Sequence, residues 1–482
     1  MNQENSSSYP KYKQIIDFMK EKIARGEWPI GSKIPSQRKL AAMFDVNRST
    51  VITALEELTA DGLIEGKMGK GTIVINNTWT LLATTPPDWD VHVKSGMHHP
   101  SQAMVQDINE SEFNSNLIQL SKGELSPDIF PKNKMKYAVE KVAENMEVLG
   151  YEEPKGYFPL RKELSAYMKT IGIESSPDSI LIVSGALQAL QLISIGLLQR
   201  NSSVLLEKPS YLYSLHVFQS AGMKLKGLAM DEEGIKVTAI KRADPQEGQA
   251  ILYTNPCFHN PTGTLMSQNR RYDLLKECEE HQLPIIEDDL YRELWLDKQP
   301  PLPLKALDKN GHVLYVSSLS KTLSPGLRIG WIVGPEPVIE RLADIKMQTD
   351  YGSSSLSQRV AAEWFKNGLY QQHMETVRTE LRTRRKVMLN ALETYAGDIA
   401  TWTNPEGGFF IWVHIQPSIS MKSLYSRALK RGILLNSGSI YAQETGSYLR
   451  LSYAYASLPD IDRSIEILAE LIRELQSIVK KE

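Results

Sequence analysis

Short apolar runs rich in β-branched residues alternate with helical stretches through residues 111–482. Five such runs occupy residues 180–183, 204–206, 250–253, 284–286 and 313–316. Strands that alternate with helices in this way form a parallel sheet covered by helices on both faces. Because ligands bind beyond the carboxyl ends of the strands in such sheets, the residues after each run are candidates for a functional site.

A polar cluster follows each of these runs. The clusters read SGALQ at 184–188, EKPSY at 207–211, NPCFHNPTG at 255–263, EDDLY at 287–291 and SSLSKTLSPGLRIG at 317–330. The first cluster opens a helix with small residues, and the free N–H groups of a helix N-terminus bind anions such as phosphate. The predicted sheet therefore brings five polar clusters to one edge.

Composition and charge narrow the class of protein. Of 482 residues, 55 are Lys or Arg and 57 are Asp or Glu, and 41% are apolar, which is typical of a soluble globular protein. Residues 1–76 carry a net charge of +2 and the remainder −4. Cys257 and Cys278 form no C-x-x-C pair, which favours a reducing, cytoplasmic location. The apolar stretch 180–198 is interrupted by polar residues, so no membrane span is expected.

Residues 1–76 have the outline of a helix-turn-helix followed by a wing. A helical pattern over residues 10–25 ends at Gly26 and Pro29. Ser36 is a suitable N-cap for a second helix, residues 45–47 form a turn, and a third helix begins near Arg48. Strand-like runs at 63–66 and 72–75 flank a glycine-containing turn and form the predicted wing.

A helix that enters the major groove end-on reaches base edges with its N-terminal residues. The candidates for base contact are therefore Asn47, Arg48, Ser49 and Thr50. The candidates for phosphate contact are Arg38, Lys67 and Lys70.

The same region resembles the GntR-type winged helix. The shared pattern comprises PS-x-R-x-LA at 35–41, VNR-x-TV at 46–51, GLI at 62–64 and GKGT at 69–72. The resemblance implies that a double-stranded DNA operator is a partner. The alternative is a helix-turn-helix used for protein contacts, with Arg38 and Arg48 as solvated surface charges.

Periodicity disappears between residues 77 and 110, which are predicted to form a linker. As a flexible coil this stretch would span roughly 30 Å, comparable to one turn of DNA at about 34 Å. His92, His98 and His99 lie in it without carboxylate or cysteine partners, so solvated side chains are favoured over a metal site. The predicted domains are a DNA-binding domain at 1–76, a linker at 77–110 and a large domain at 111–482.

The strand-end clusters together resemble the fold-type I pyridoxal 5'-phosphate enzymes, specifically the aminotransferases of the kynurenine and aminoadipate kind. The resemblance covers about residues 115–482, where N-P-T-G, E-D-D-x-Y and S-x-S-K-x-x-x-P-G-L-R-x-G occur in the family's order. It implies an α/β fold with large and small subdomains, and pyridoxal 5'-phosphate as the cofactor.

The resemblance implies a role for each matching residue. Lys321 is implied as the catalytic lysine that carries the cofactor, and Asp288 as the carboxylate that faces the pyridine nitrogen. Asn260 and Tyr291 are implied to bind the phenolic oxygen of the ring, and Tyr211 to stack on it. The residues implied to hold the phosphate are Gly185, Ala186, Leu187, Ser318 and Arg328.

Two further matches lie outside the strand-end clusters. Tyr151 resembles the tyrosine that reaches the phosphate of the neighbouring subunit, which implies a homodimer. Arg450, in LRLSY at 449–453, resembles the arginine that binds the substrate carboxylate. Simple packing for Tyr151 and a structural salt bridge for Arg450 are the alternatives. A closing helix with one apolar face, from Ile461 to Val479, is expected to pack in a core or an interface.

A GntR-like winged helix joined through a linker to an aminotransferase-like domain is the arrangement of the MocR family of transcription regulators. This resemblance implies that the large domain senses an amino compound, or the cofactor itself, and shifts the DNA-binding domains of a dimer that is commonly head-to-tail. The competing hypotheses are a working aminotransferase with a secondary DNA-binding domain and a bifunctional protein. Both stay open, because every residue needed for the first half-reaction is present.

Overall fold

The computed structural model describes residues 9–67, 71–76, 89–96, 98, 101–242, 249–442 and 446–479. The chain divides into two compact units, Met1–Gly96 and Met97–Glu482. The predicted phosphate contact Lys70 and the linker residue His99 lie outside the described residues.

The first unit contains a winged helix. Its helices and strands are α1 (Lys11–Ala24), α2 (Gln37–Phe44), α3 (Arg48–Ala60), β1 (Ile64–Lys67), β2 (Gly71–Val74) and α4 (Trp89–Ser95). One apolar core includes Ile15 and Met19 of α1 and Leu40 of α2, together with Val51 and Leu58 of α3. Strands β1 and β2 pair antiparallel. The predicted helix-turn-helix and wing are confirmed, with each wing strand shifted by one residue.

Local signals set the turn between α2 and α3. The Oγ of Ser36 caps α2 by accepting a hydrogen bond from the N–H of Lys39 at 3.4 Å. Asp45 ends α2 in the left-handed region at φ +49°, which Asp adopts more readily than most residues. Asn47 then precedes α3 with extended backbone. Residues 45–47 thus form the turn between the two helices.

The second unit is built on a large sheet. The strands of the whole unit are β3 (Ile118–Gln119), β4 (Ile180–Val183), β5 (Ser203–Lys208), β6 (Lys224–Asp231), β7 (Gly234–Ile235), β8 (Ala250–Thr254), β9 (Ile285–Asp288), β10 (Val313–Ser318), β11 (Gly330–Val333), β12 (Ala400–Trp402), β13 (Phe410–Ile415), β14 (Ile433–Leu434), β15 (Asn436–Ser437) and β16 (Tyr448–Ser452). The large sheet has the order β4-β11-β10-β9-β8-β5-β6-β7. All five predicted strands lie in it, as β4, β5, β8, β9 and β10.

The large sheet is mixed, which corrects the prediction of a parallel sheet. Strands β5, β8, β9 and β10 pair in parallel, whereas β11 is antiparallel to both β10 and β4. Only residues 319–329 connect β10 to β11. A parallel crossover needs a dozen or more residues and usually a helix, so this short connection returns the chain in the opposite direction.

Helices cover both faces of the sheet, as predicted. The helices of this unit are α5 (Ala103–Ser111), α6 (Lys132–Glu144), α7 (Phe158–Thr170), α8 (Ala186–Gly196), α9 (Val217–Ser220), α10 (Val237–Arg242), α11 (Gln268–Glu280), α12 (Leu304–Leu307), α13 (Glu336–Thr349), α14 (Ser355–Lys366), α15 (Leu369–Ala396), α16 (Met421–Lys430) and α17 (Leu458–Val479). Val204 and Leu206 of β5 belong to one apolar core with Leu190 of α8. Leu205, between them, belongs to the other core with Leu274 of α11.

A smaller antiparallel sheet completes the unit, in the order β12-β13-β16-β15. The closing helix α17 packs against α15 and α16, and Ile461, Ile465, Leu468 and Ile472 on it are buried. The predicted apolar face of this helix is therefore confirmed as part of the core.

Residues 103–110 are helical, although the sequence pattern places them in the linker. Helix α5 contributes Val105 and Ile108 to an apolar core that includes Tyr425, Leu434 and Tyr441. Residues 97–110 thus fall in the second unit. Two buried positions in one short helix give too weak a periodicity to be recognised from sequence.

No helix within the described residues combines the length and apolarity that crossing a bilayer requires. The apolar stretch 180–198 is divided between strand β4 and helix α8. Most of its hydrophobic residues, among them Leu181, Val183, Leu190 and Ile193, are buried in a core of the second unit.

Candidate functional site

A cavity of about 390 Å³ lies beyond the carboxyl ends of β5, β8, β9 and β10. Nine of the residues predicted to hold the cofactor or the effector line it, namely Ala186, Leu187, Tyr211, Asn260, Asp288, Tyr291, Lys321, Arg328 and Arg450. Gly185, Ser318 and Tyr151 are not on its wall. The volume is in the range of small-molecule and cofactor sites.

Lys321 projects into the cavity from the loop after β10. Its Nζ donates a hydrogen bond to the backbone carbonyl of Gly123 at 2.8 Å. Burial and, next, the charge of Arg450 lower the pKa of the Lys321 amine to about 8. A neutral amine is therefore accessible near physiological pH, as a nucleophilic lysine requires.

Asp288 ends β9 with a buried carboxyl group. Its Oδ2 accepts a hydrogen bond from the hydroxyl of Tyr253 at 2.6 Å, and its Oδ1 has no hydrogen-bond partner among the described residues. Burial raises the pKa of Asp288 to about 6. A buried carboxyl group with one oxygen open to a cavity is suited to an N–H donor or a cation.

Two asparagines link the polar groups of the cavity. The side-chain amide of Asn255 donates to the backbone carbonyl of Asp288 at 2.6 Å, and its Oδ1 accepts from the N–H of Asn260 at 2.9 Å. The Nδ2 of Asn260 lies 3.5 Å from the hydroxyl of Tyr291, and its Oδ1 accepts from Nη1 of Arg450 at 2.9 Å. A continuous set of hydrogen bonds thus positions Asp288, Asn260 and Arg450 relative to one another.

The N-terminus of α8 and Arg328 form an anion site at one end of the cavity. The first N–H groups of α8, at Ala186 and Leu187, have no acceptor within the helix. Gly185 precedes them at φ +88°, and a Cβ atom there would lie 2.7 Å from Nη2 of Arg328. That nitrogen donates to the carbonyl of Ser184 at 2.7 Å. The glycine therefore allows the guanidinium to lie against the start of the helix, where both groups attract an anion.

Ser318 lies behind this wall of the cavity. Its hydroxyl donates to the carbonyl of Ile329 at 2.8 Å, and the Oγ atoms of Ser318 and Ser320 are 2.9 Å apart. Ser320, rather than Ser318, lines the cavity.

Arg450 is buried, with 4% of its surface exposed. Its guanidinium carbon lies 4.0 Å from the ring centre of Phe410 and 5.0 Å from that of Tyr441. Its Nη2 donates to the carbonyl of Ser121 at 2.6 Å, and its Nε has no hydrogen-bond partner among the described residues. Within the described part of the chain, no carboxylate lies within 4.0 Å of this guanidinium, so the structural salt bridge considered as its alternative role has no partner there.

Tyr151 is 81% exposed. Its ring centre lies 4.9 Å from that of Tyr351, edge to face, and Tyr351 is also exposed. Its predicted role, a contact with the neighbouring subunit, stays a prediction.

Several residues that line the cavity, or that contact its lining, carry no recognisable sequence signal. Tyr253 is the last residue of an apolar run, where a polar tip is the only indication of its bond to Asp288. Ser121 and Gly123 follow the two-residue strand β3, which is too short for any periodicity. Glu112 and Tyr441 also line the cavity and lie outside every motif considered above.

The candidate base-contact residues lie together at the start of α3. Asn47, Arg48 and Ser49 are exposed and Thr50 is half-buried. The Asn47 side chain makes no capping hydrogen bond. The Nε of Arg48 donates to the side-chain oxygen of Gln37 at 2.9 Å, a contact that the sequence pattern does not indicate. Gln37 therefore orients Arg48 at the exposed end of the helix.

The candidate phosphate contacts lie on α2 and the wing. Arg38 is exposed on α2, and in the described part of the chain neither Arg38 nor Arg48 pairs with a carboxylate. Lys67 ends β1 with its Nζ 3.7 Å from the carboxylate of Glu65. The side chains of Arg38 and Lys67 therefore remain accessible to a polyanion.

A group with metal-ligand chemistry occurs elsewhere in the described part of the chain. Potential ligand atoms of Glu279, Asp308 and His312 lie within 4.8 Å of one another. The carboxylate of Asp308 already accepts hydrogen bonds from Nζ of Lys305 at 2.9 Å and from the N–H of Val313 at 3.0 Å. These contacts account for Asp308 as a structural residue, and we assign no metal site.

Two family models match the chain. The model described as aminotransferase class I and II matches residues 115–468. The model described as bacterial regulatory proteins, gntR family, matches residues 11–74. The two matches coincide with the cavity-bearing unit and with the winged helix.

Related proteins share both parts of the chain. An uncharacterized HTH-type transcriptional regulator of Bacillus subtilis, YdfD, is 69% identical over 97% of each chain. The HTH-type transcriptional regulator NorG of Staphylococcus aureus is 38% identical over 90% of this chain and 98% of its own. Among solved structures, the kynurenine aminotransferase of Pyrococcus horikoshii has a TM-score of 0.75 and 32% identity, covering 82% of this chain and 99% of its own.

Proposed function

We infer that this chain, which belongs to the MocR family of transcription regulators, binds pyridoxal 5'-phosphate and senses a small amino compound with it. The N-terminal winged helix binds double-stranded DNA, and the state of the cavity in the second unit alters that binding. The observation that carries this proposal is the set of groups around one cavity, in a chain whose other unit exposes Asn47, Arg48 and Ser49.

The residues around the cavity fit pyridoxal 5'-phosphate. When bound, this cofactor supplies an aldehyde that reacts with amines and a ring that withdraws electrons. The open Oδ1 of Asp288 suits the protonated ring nitrogen. The cradle formed by Gly185 and Arg328 suits the phosphate, together with the first N–H groups of α8. Lys321 is the amine that would hold the aldehyde carbon.

The remaining predicted residues of the site complete its recognition. Asn260 and Tyr291 lie where they can bind the phenolic oxygen, and Tyr211 lines the same wall. Arg450 presents a buried guanidinium to the carboxylate of an amino compound. Because burial lowers the pKa of its amine to about 8, Lys321 is available in part as the neutral amine that can form the bond to the aldehyde carbon.

We propose a homodimer, in which Tyr151 reaches the phosphate of the partner's site. The exposed pair of Tyr151 and Tyr351 supports this arrangement, because large exposed aromatic residues are enriched in interfaces. A head-to-tail arrangement is the form expected of this family.

Aminotransferase activity is the second candidate function. The observation that favours it is that Lys321, Asp288 and Arg450, the residues implied to carry the cofactor, face its ring nitrogen and bind the substrate carboxylate, all line one cavity. The regulator and the enzyme differ in whether amino acid is turned over, and this is the quantity to measure.

Replacing Arg48 tests the DNA-binding part of the proposal. Arg48→Ala should weaken binding of the purified protein to promoter DNA from its own locus by tenfold or more, since a good base contact contributes about 1–3 kcal/mol. Arg25→Ala is the matched control, because Arg25 is an exposed arginine of the same unit that pairs with Glu21 on α1. Equal affinity of the Arg48 variant and the wild type in a gel-shift titration would contradict the assignment.

Replacing Lys321 tests the sensing part. Lys321→Ala should abolish the visible absorbance of covalently bound cofactor and the response of DNA binding to amino compounds. A panel of amino acids, amines and free cofactor is titrated into the loaded wild-type protein, and the absorption spectrum and the DNA affinity are recorded. The formation of a 2-oxo acid from each amino acid in the presence of 2-oxoglutarate is measured in parallel. Steady turnover without specific DNA binding would favour the enzyme over the regulator.

A further inference from the structure

The cavity has a wall that the cofactor residues do not explain. This distal wall consists of Val105, Ile108, Asn109, Glu112 and Glu124. Most of it comes from α5 and the residue that follows it. It is part of the same cavity as Lys321 and Arg450, so a ligand held by those groups faces it.

Residues 121–124 tie the two acids of the distal wall to the binding groups. The carbonyl of Ser121 accepts from Nη2 of Arg450 at 2.6 Å, and its hydroxyl lies 3.4 Å from a carboxylate oxygen of Glu112. The carbonyl of Gly123, the residue before Glu124, accepts from Nζ of Lys321 at 2.8 Å. Ser121 thus links Glu112 to Arg450, and the backbone that precedes Glu124 is linked to Lys321.

Neither acid of the distal wall is held in an ion pair among the described residues. In the described part of the chain, neither Glu112 nor Glu124 forms an ion pair with a basic residue. The nearby ammonium of Lys122 lies over the ring of Tyr455, 4.4 Å from its centre. Burial raises the pKa of Glu112, and the charge of Glu124 contributes in the same direction against the opposite effects of Arg450 and Lys122. A cation placed between the two carboxyl groups would relieve this cost.

Arg450 is an independent indication of a charged ligand. It is nine-tenths buried, it lines the cavity, and its Nε has no partner among the described residues. A buried guanidinium with an open donor is suited to a carboxylate. Besides the groups assigned to the cofactor, the cavity thus offers the guanidinium of Arg450 for an anion and the carboxyl groups of Glu112 and Glu124 for a cation.

We propose that the effector is an amino acid with a cationic side chain, bound with its carboxylate on Arg450 and its side-chain ammonium or guanidinium between Glu112 and Glu124. The inference rests on the proposed function, because it names the effector class of the same site. The apolar residues Val105 and Ile108 line the path of the aliphatic part of such a side chain.

Pairs of amino acids with side chains of similar shape, of which only one member is cationic, test the inference. The spectrum of the cofactor-loaded protein is recorded during titration with L-arginine and with L-citrulline, which has nearly the same shape but a neutral side chain. L-lysine and L-norleucine form a second pair. The cationic member of each pair should reach half-saturation at a concentration at least about tenfold lower than the neutral member does. This difference is expected for hydrogen bonds to charged groups.

Variants assign the preference to the two acids. In a protein carrying Glu112→Gln and Glu124→Gln, the ratio of the half-saturation concentrations of citrulline and arginine should fall close to one. Glu110→Gln is the matched control, because Glu110 is an exposed acid of α5 outside the cavity, and it should keep the ratio of the wild type.

The outcomes separate this inference from the proposed function. If the loaded wild-type protein responds to no amino acid, the proposed function itself fails. If the wild type responds equally to both members of each pair, only the inference about the effector class is overturned. The same holds if the double variant prefers the cationic member as strongly as the wild type does. Where the double variant does not retain cofactor, the ligand pairs on the wild type and the single Glu124→Gln variant decide.

Discussion

The carboxyl group of Asp288 illustrates what burial does to a single residue. Its pKa is raised to about 6 by burial, against about 3.9 for an exposed Asp. The folded chain therefore holds this proton more tightly than the unfolded chain, and the contribution of Asp288 to stability falls as the pH rises from 4 to 6. At about 1.4 kcal/mol per pKa unit, the charged form costs the cofactor-free protein about 3 kcal/mol at pH 7.

Asp288→Asn should therefore stabilise the cofactor-free protein at neutral pH. The amide keeps an acceptor for Tyr253 and removes the buried charge, so we expect a gain of about 1–3 kcal/mol at pH 7.5. The gain should shrink to below about 1 kcal/mol near pH 4.5, where the folded chain holds Asp288 protonated, and should vanish below the pKa of the unfolded chain. Thermal unfolding of both proteins at the two pH values measures this difference.

The neighbouring acid is the control for this experiment. Asp289 is buried and pairs with Arg292, so Asp289→Asn leaves a buried guanidinium without its partner and should destabilise the protein by about 3–5 kcal/mol. A loss of stability in both variants at pH 7.5 would contradict our account of Asp288.

At the scale of elements, the start of α8 combines two constraints on one glycine. Gly185 has φ +88° and a Cβ there would lie 2.7 Å from Nη2 of Arg328. Gly185→Ala should therefore displace the guanidinium as well as strain the backbone, and we expect cofactor affinity to fall by about tenfold or more, the effect of losing one charge-assisted contact. Equilibrium dialysis of the cofactor measures this change.

A substitution at Gly368 distinguishes backbone strain from displacement of the Arg328 guanidinium. Gly368 also precedes a helix, α15, at φ +65°, and a Cβ there would meet no atom within 4 Å. Gly368→Ala should cost stability of about 1 kcal/mol without a change in cofactor affinity. Equal loss of affinity in both variants would mean that backbone strain alone explains the effect at Gly185.

Elements with a strong local pattern could be predicted from the sequence. Apolar runs and the polar clusters after them located five strands and the part of the cavity wall that follows those strands. The direction of β11 could not be predicted from composition, because it depends on the length of the connection from β10. Helix α5 and the role of residues 121–124 in the site could not be predicted, because their contacts are with residues that are far away in the sequence. The bond from Arg450 to Ser121, for example, connects residues 329 positions apart.

At the scale of the whole molecule, the proposed dimer predicts complementation between two damaged chains. Lys321→Ala removes the lysine of its own site, and Tyr151→Ala should weaken cofactor binding in the partner's site by about tenfold. In a mixed dimer, the chain with intact Lys321 receives an intact Tyr151 from its partner. Co-expressed chains should therefore contain a fraction of sites with the cofactor affinity of the wild type.

Chains mixed under conditions that prevent subunit exchange provide the control. They should show only the two parental behaviours in a cofactor titration. If the co-expressed protein also lacks sites of wild-type affinity, Tyr151 acts within its own subunit or serves only in packing.

The hydrogen bond from Lys321 to the carbonyl of Gly123 couples cofactor attachment to the conformation of the backbone beside α5. Any group that takes up the Lys321 amine removes a donor from that carbonyl, a change of about 0.5–1.5 kcal/mol for a typical hydrogen bond. Because such coupling is reciprocal, a shift of residues 121–124 must in turn alter how readily Lys321 leaves. Residues 121–124 and α5 lie near the start of the second unit, so under the proposed function the chemistry of one amine would bear on a part of that unit that is near in sequence to the DNA-binding unit.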